Sequence, residues 1–300
     1  MENLFTFSLF NGDISSWDTS NVTNMKEMFN YAINFNQPLN FDTSNVTNME
    51  WMFHKAYNFN QPLNFDTSKV TSLDGMFYNA SSFNQELNFD TSKVTSMKEM
   101  FGYAENFNQP LNFNTSKVTS MKEMFYNARV FNQKLNFDTS KVTNMNSMFY
   151  EAIKFNQPLN FDTSNVTNME AMFYEAEKFN SDIGNWDVSN VIDMSYIFAN
   201  TKAFNQNISS WILDNIKSIY SMFDNAKAFL DKYNSSNHLP NYTDEIKRWF
   251  NNNKDIMKAI DTKANYKNEI DDFFSNINDI HFTNGIGLHN NIHSLPISIL

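Results

Sequence analysis

Three ladders of recurring residues raise the chemical question. Asp18, Asp42, Asp66, Asp90, Asp138, Asp162 and Asp187 stand 24 or 25 residues apart, or a multiple of that step. Carboxylates aligned one repeat apart could supply the several oxygen ligands that Ca²⁺ takes. The competing role is turn capping, in which an Asp side chain accepts hydrogen bonds from the backbone just after it. Asn114 stands in the same place in its repeat. An amide keeps that hydrogen bond and loses the charge, so capping is the expectation and no metal or other cofactor is assigned. Lys69, Lys93, Lys117 and Lys141 form a second ladder, flanked by Asn45 and Asn165. It reads as a solvated edge neutralised by the aspartates, with a basic stripe for an acidic partner as the rival.

The third ladder is aromatic. Tyr78, Tyr126, Tyr150 and Tyr174 each follow a Met-Phe pair, and Trp51 and His54 occupy nearby places in one repeat. Tyr and Trp are common anchors of protein interfaces. They also pack against neighbours and leave only a polar tip wet. Trp51, His54, Tyr78, Tyr126, Tyr150 and Tyr174 are therefore the candidate binding residues, with both roles open.

No catalytic set competes with them. The five histidines, His54, His238, His281, His289 and His293, show no metal-ligand spacing, and four lie near the C-terminus. There is no phosphate loop and no nucleophile elbow. Repeated Asp-Thr-Ser triplets do not single out one acid and one base. The chain is read as non-enzymatic.

Composition narrows the partners. The net charge of −11 argues against nucleic acid and against an anionic membrane surface. Cysteine is absent, which excludes disulfides and thiolate metal sites. No basic n-region and no long apolar run is found, so neither a signal peptide nor a membrane-spanning helix is expected. The expected partner is a protein, met by a single chain. Phe (31) and Met (17) abound while Gly and Pro number six each, few for a chain of many turns.

The elements that hold the ladders follow from the repeat. Its opening Phe recurs at Phe10, Phe35, Phe59, Phe83, Phe107, Phe131, Phe155, Phe179, Phe204 and Phe229. A fixed period in this range implies a stack in which each coil buries its apolar side against its neighbours. Leu39 and Phe41 are two apart, as on one face of a strand. Met49, Met52, Phe53 and Ala56 follow the helical period. The expected fold is an α/β repeat solenoid, with one parallel sheet face and short helical turns opposite. Asn36, Asn60, Asn84, Asn108, Asn132, Asn156 and Asn180 are expected to bond the backbone of adjacent coils.

The pattern of Phe10 to Ala32, with Trp17-Asp18-Thr19-Ser20, Val22-Thr23, Met25 and Met28-Phe29, resembles the BspA-type leucine-rich repeat surface protein family. Members include mycoplasma lipoproteins, and similar repeats occur in insect poxviruses and other large DNA viruses. The resemblance covers residues 10–229. It implies a right-handed leucine-rich-repeat-like solenoid used in protein binding or adhesion.

Three segments result. Residues 1–9 read as a degenerate half coil, 10–229 as nine repeats, and 230–300 as a helical cap and tail. Ile246, Trp249, Phe250, Ile256, Met257 and Ile260 predict one helix, and Ile270, Phe273, Phe274 and Ile277 a second. No lipoprotein Cys or wall anchor near Ser294-Leu295-Pro296 is seen. The expectation is an intracellular protein, in host cytoplasm if viral, with the cell surface as the alternative if the N-terminus is truncated. The function expected is a protein–protein interaction scaffold with host-interaction use; the alternative is a surface adhesin or glycan-binding protein.

Overall fold

The computed structural model describes residues 1–233 and 241–284, with side chains described as far as Asp272. His238, His289, His293 and Ser294–Pro296 lie outside the described residues, and of His281, Phe273, Phe274 and Ile277 only the backbone is described.

Residues one repeat apart lie side by side. Thr47 N–H donates to Thr23 O at 2.9 Å, and Met25 N–H donates to Asn48 O at 2.9 Å. The pairing is parallel, as at Asn24 with Asn48, Leu39 with Leu63 and Ser96 with Ser120. These contacts are isolated bridges rather than the continuous strands expected of a sheet face. Each coil bends sharply on both sides of the short Val-Thr stretch, so the ladder closes only there and at some Leu positions.

The helical turns expected from Met49, Met52, Phe53 and Ala56 are not helical. Met52 N–H donates to Met49 O at 3.2 Å, His54 N–H to Trp51 O at 3.1 Å and Ala56 N–H to Phe53 O at 3.1 Å. These are linked turns of the i to i+3 kind, and two of them carry a positive φ at their third residue, Trp51 (57°) and Lys55 (54°). That sign pattern is the type II turn. The intervening donors point to the next coil: Trp51 N–H to Asp74 O, Phe53 N–H to Met76 O and Lys55 N–H to Tyr78 O, at 2.8 to 2.9 Å. So alternate amides close turns and alternate amides join coils. Among the described residues, all nineteen non-glycine residues with positive φ, together with Gly75, fall at these two places of successive coils, from Asn3 and Phe7 to Ser221 and Asn225.

The core is built in columns. Phe35, Leu39, Phe41, Val46, Met49, Met52, Phe53 and Ala56 are all buried, and the same eight places are buried in the following coils. Phe53 stacks on Phe29 and Phe77 at 5.5 and 5.7 Å, and meets Phe59 of the adjoining column at 4.1 Å. Thr43 is buried as well, and its hydroxyl donates to Asp66 O at 3.0 Å, one coil on.

Two helices follow. α1 spans Lys227–Tyr233, and its Phe229 extends a Phe column through Phe204 at 5.9 Å. α2 spans Thr243–Asn284. It begins with Asp244 and Glu245, acids that favour the positive end of the helix dipole. The two C-terminal helices expected around Ile246–Ile260 and Ile270–Ile277 are thus one continuous α2. Its first turns cover the last coil: Ile246 and Phe250 are buried, and Trp249 meets Phe223 edge-on at 6.3 Å. One compact unit spans Met1–Lys254, and a second begins at Asp255. No helix among the described residues is long and apolar enough to cross a membrane.

Ala171 sits at φ +52°, where a Cβ is strained. Ala171→Gly should raise unfolding stability by about 1 kcal/mol, and Ala171→Val should lower it. Denaturant titration of both variants checks this; equal or inverted effects would contradict the turn assignment.

Candidate binding surface

The linked turns point Met49, Met52, Phe53 and Ala56 inward and set other side chains outward in columns. One such column begins Asn30, His54, Tyr78 and continues Gly102, Tyr126, Tyr150, Tyr174. Because the backbones are one coil apart, rings in a column must touch. Tyr126 and Tyr150 stack at 4.5 Å with an interplanar angle of 7°, and Tyr150 and Tyr174 at 4.6 Å and 11°. Their faces are spent on each other, and each ring is left only partly exposed. Burial pushes the phenols of Tyr78 and Tyr150 up to about 12, with neighbouring Tyr and Glu groups adding to it. The Tyr126 phenol is raised further, by burial first and then by Tyr103.

All six candidate residues lie on this side of the chain and are partly buried. The structure joins them through residues that sequence reasoning passed over. Tyr103 meets Tyr78 at 5.4 Å and Tyr126 at 5.2 Å. Tyr31 meets His54 at 5.4 Å, and Tyr196 and Tyr220 continue the row from Tyr174. The result is an aromatic spine from Phe7 to Tyr242. A signal for Tyr103 was present in its neighbour. Gly102 stands where the coils before and after it place Tyr78 and Tyr126, and a Cβ there would lie 2.7 Å from the Tyr78 ring. The ring that Gly102 lacks is supplied by the next residue.

One part of the spine differs from the rest. Trp51 meets His54 edge-on at 5.2 Å, and His54 meets Tyr78 at 5.4 Å. The His54 imidazole bonds Asn30 through Nδ1 at 2.8 Å; since the partner is the Asn30 carbonyl oxygen, Nδ1–H donates. Lys55 lies over the Tyr31 ring, 4.4 Å from its centroid, and donates to the Tyr31 hydroxyl. Burial, and then the Lys55 charge, lower the His54 pKa to about 4. The indole of Trp51 covers Gly75 so closely that a Cβ there would be 2.1 Å from Cε3. Other coils place non-glycine residues at the same positive φ, so it is the indole above it, more than its φ of +59°, that requires Gly75.

The other ladders are structural in their bonding. Asp42 Oδ1 accepts from Ser44 N–H at 3.0 Å, and Asn114 Oδ1 accepts from Ser116 N–H at 3.1 Å. Hydrogen bonds from serine hydroxyl and backbone hold Asp42, Asp138 and Asp162 below the usual carboxylate range. Asn36 Oδ1 accepts from Asn60 N–H at 2.9 Å, one coil on. Lys69 donates to Asn45 Oδ1 at 2.8 Å. Among the described residues no three of His, Asp and Glu are grouped closely enough to hold a metal ion.

The recurrence in the backbone is also a recurrence in family terms. A family model described as "Mycoplasma protein of unknown function, DUF285" matches residues 1–87, 63–161, 135–236 and 159–263. The chain belongs to this family. Its matches overlap because one short unit recurs along the whole matched region. Comparison with curated proteins gives no match, and comparison with solved structures gives none. In this DUF285 chain the spine runs through the matched repeats, and its least repetitive part is the cluster of Tyr31, Trp51, His54, Lys55 and Tyr78.

Two outcomes test that cluster. Gly75→Ala should destabilise the chain strongly, and Trp51→Ala should recover part of the loss when combined with it. A double-mutant cycle with no coupling would remove the indole from over Gly75. His54 should titrate near 4 by NMR, identified by its disappearance in His54→Gln. Because the folded pKa lies below the unfolded 6.5, the stabilising contribution is complete above pH 6.5 and declines as pH falls toward 4. A midpoint near 6.5 would mean an imidazole open to water.

Proposed function

We propose that the chain is a non-enzymatic scaffold for protein–protein interaction, built as a right-handed solenoid of the leucine-rich-repeat type and akin to the BspA-like repeat proteins. The in-register hydrogen bonds between residues one repeat apart, the parallel pairing and the continuous Phe columns support the solenoid. The right hand follows the preference of parallel crossovers. The observation that carries the functional reading is the aromatic spine. It places Tyr hydroxyls and ring edges, with one Trp-His-Lys cluster, along a backbone that the core columns hold fixed. A rigid row of this kind binds without ordering cost to itself.

The spine also limits the mode of binding. Tyr126, Tyr150 and Tyr174, stacked face to face, offer no platform between them for a sugar ring or a side chain to lie on. Contact is through hydroxyls, edges and the neighbouring Glu and Lys side chains, which suits a protein surface of mixed polarity. Carboxylates here are partly desolvated: burial, and then Glu123, raise the Glu99 pKa. Such groups gain from a hydrogen-bonding partner.

The test is affinity capture with the intact chain beside two variants. Tyr78, Tyr126, Tyr150 and Tyr174 are changed together to Ser in one, and to Phe in the other. A protein retained by the intact chain, lost by the folded Ser variant and weakened by the Phe variant supports recognition through rings and hydroxyls of the spine. Equal retention by all three moves the interface off the spine. Retention of glycans in place of protein would favour the adhesin reading.

A further inference from the structure

α2 continues well past its buried first turns. Ile246 and Phe250 are buried, but from Thr262 to Asp272 every residue is exposed. Among the exposed residues are Ile256 (51%), Tyr266 (57%) and Ile270 (51%). A surface helix normally hides its apolar stripe, and an isolated helical segment of this length is marginal in water.

The spacing of the exposed side chains identifies what hides them. Ile256, Lys263 and Ile270 are seven apart, and Ala259 and Tyr266 follow the first two by three. The sequence of α2 keeps the pattern at Phe273, Ile277 and Ile280. A seven-residue repeat with a and d places filled in this way describes a narrow seam that fits another helix with the same repeat. The stripe holding Ile256 and Ile270 is not the one holding Phe250 and Met257, which is buried. The only other helix among the described residues is α1, seven residues long, too short to line such a seam.

We propose that α2 beyond Asp255 is a dimerisation helix whose occupant is the α2 of a second copy of this chain. A second copy carries the complementary seam by construction, and a two-fold axis satisfies both stripes at once. Lys263 at an a place sets the form of the pairing. One cationic layer in an apolar seam favours low-order association and fixes the register, at a cost in stability. Its long apolar stem can lie along the seam while the ammonium reaches water. The pair of chains replaces the single chain expected from the sequence, and the inference is independent of what the spine binds.

Sedimentation of the intact chain between about 1 and 100 µM covers the association range of a short coiled coil. The expected mass is twice 35.1 kDa at the upper end. Ile256→Glu with Ile270→Glu should return it to 35.1 kDa throughout, with the melting transition of the repeats unchanged. Lys263→Leu should tighten association by about tenfold or more. A mass of 35.1 kDa for the intact chain at every concentration overturns the proposal. So does a dimer that the paired Glu substitutions leave intact, and so does loosening by Lys263→Leu.

Discussion

Everything in the repeats depends on how the Met-Phe segment disposes of its backbone amides. The segment must bury Met49, Met52, Phe53 and Ala56 and still satisfy each N–H that goes inside with them. An α-helix would do so within itself and leave nothing for the neighbouring coil. A strand would give the neighbour every bond available and would turn only half its side chains inward. The linked turns are an intermediate solution. Alternate amides close i to i+3 turns, and the rest reach the next coil at Asp74, Met76 and Tyr78. The requirement is two residues with positive φ in each coil. At about 1–2 kcal/mol each, this costs less than the burial of two or three Phe or Met side chains returns, at about 1.5–3 kcal/mol each.

Coil spacing then dictates how the aromatics pack. Backbones joined by such hydrogen bonds are about 4.8 Å apart, more than the thickness of a ring. Rings stacked squarely at that distance would leave a gap. The Phe columns instead hold centroids 5.4 to 6.3 Å apart with nearly parallel planes, an offset arrangement. The close contacts run between the two columns, as for Phe53 with Phe59 at 4.1 Å and Phe173 with Phe179 at 3.8 Å. Tyr126, Tyr150 and Tyr174 lie outside this double column and have no second row to fill the gaps. They stay close to the coil spacing, and their partial exposure follows from that.

What the sequence made legible was the register and the identity of the buried places. What it hid was the local conformation at Met49 to Ala56. A spacing of three, one and three fits an α-helix, and it fits a chain of i to i+3 turns equally well. The residue types that would separate the two were present in only some coils. Positions of positive φ usually carry Gly or Asn, but here they hold Glu27, Trp51, Glu99, Ser147 and Ala171 among others. Gly75 and five asparagines, Asn3, Asn79, Asn127, Asn200 and Asn225, carried the expected mark, too scattered among the coils to set a pattern. The role of Asp42 was readable because Asn114 replaces a member of the same column without loss of the hydrogen bond. The roles of Tyr103 and Tyr31 were not readable, since they stand one residue out of the Tyr column and reach it only through the turn geometry.

The division of labour between columns bears on where recognition can arise. Inward columns have little freedom, because each side chain must match the one above and the one below. Outward columns are held by backbone bonds and by the buried residues, so their side chains can change more freely, wherever a neighbouring ring, as Trp51 over Gly75, does not fill the space. Along the spine they do change: Asn30, His54, Tyr78, Gly102 and Tyr126 occupy one column, and Tyr31, Lys55, Asn79, Tyr103 and Asn127 the next. Yet the two columns vary together. Gly102 is accompanied by Tyr103, and Trp51 by Gly75, so that no coil leaves a gap in the row of rings. A surface free to vary but filled without interruption is constrained as a surface, and that constraint is what an extended binding face requires of a repeat protein.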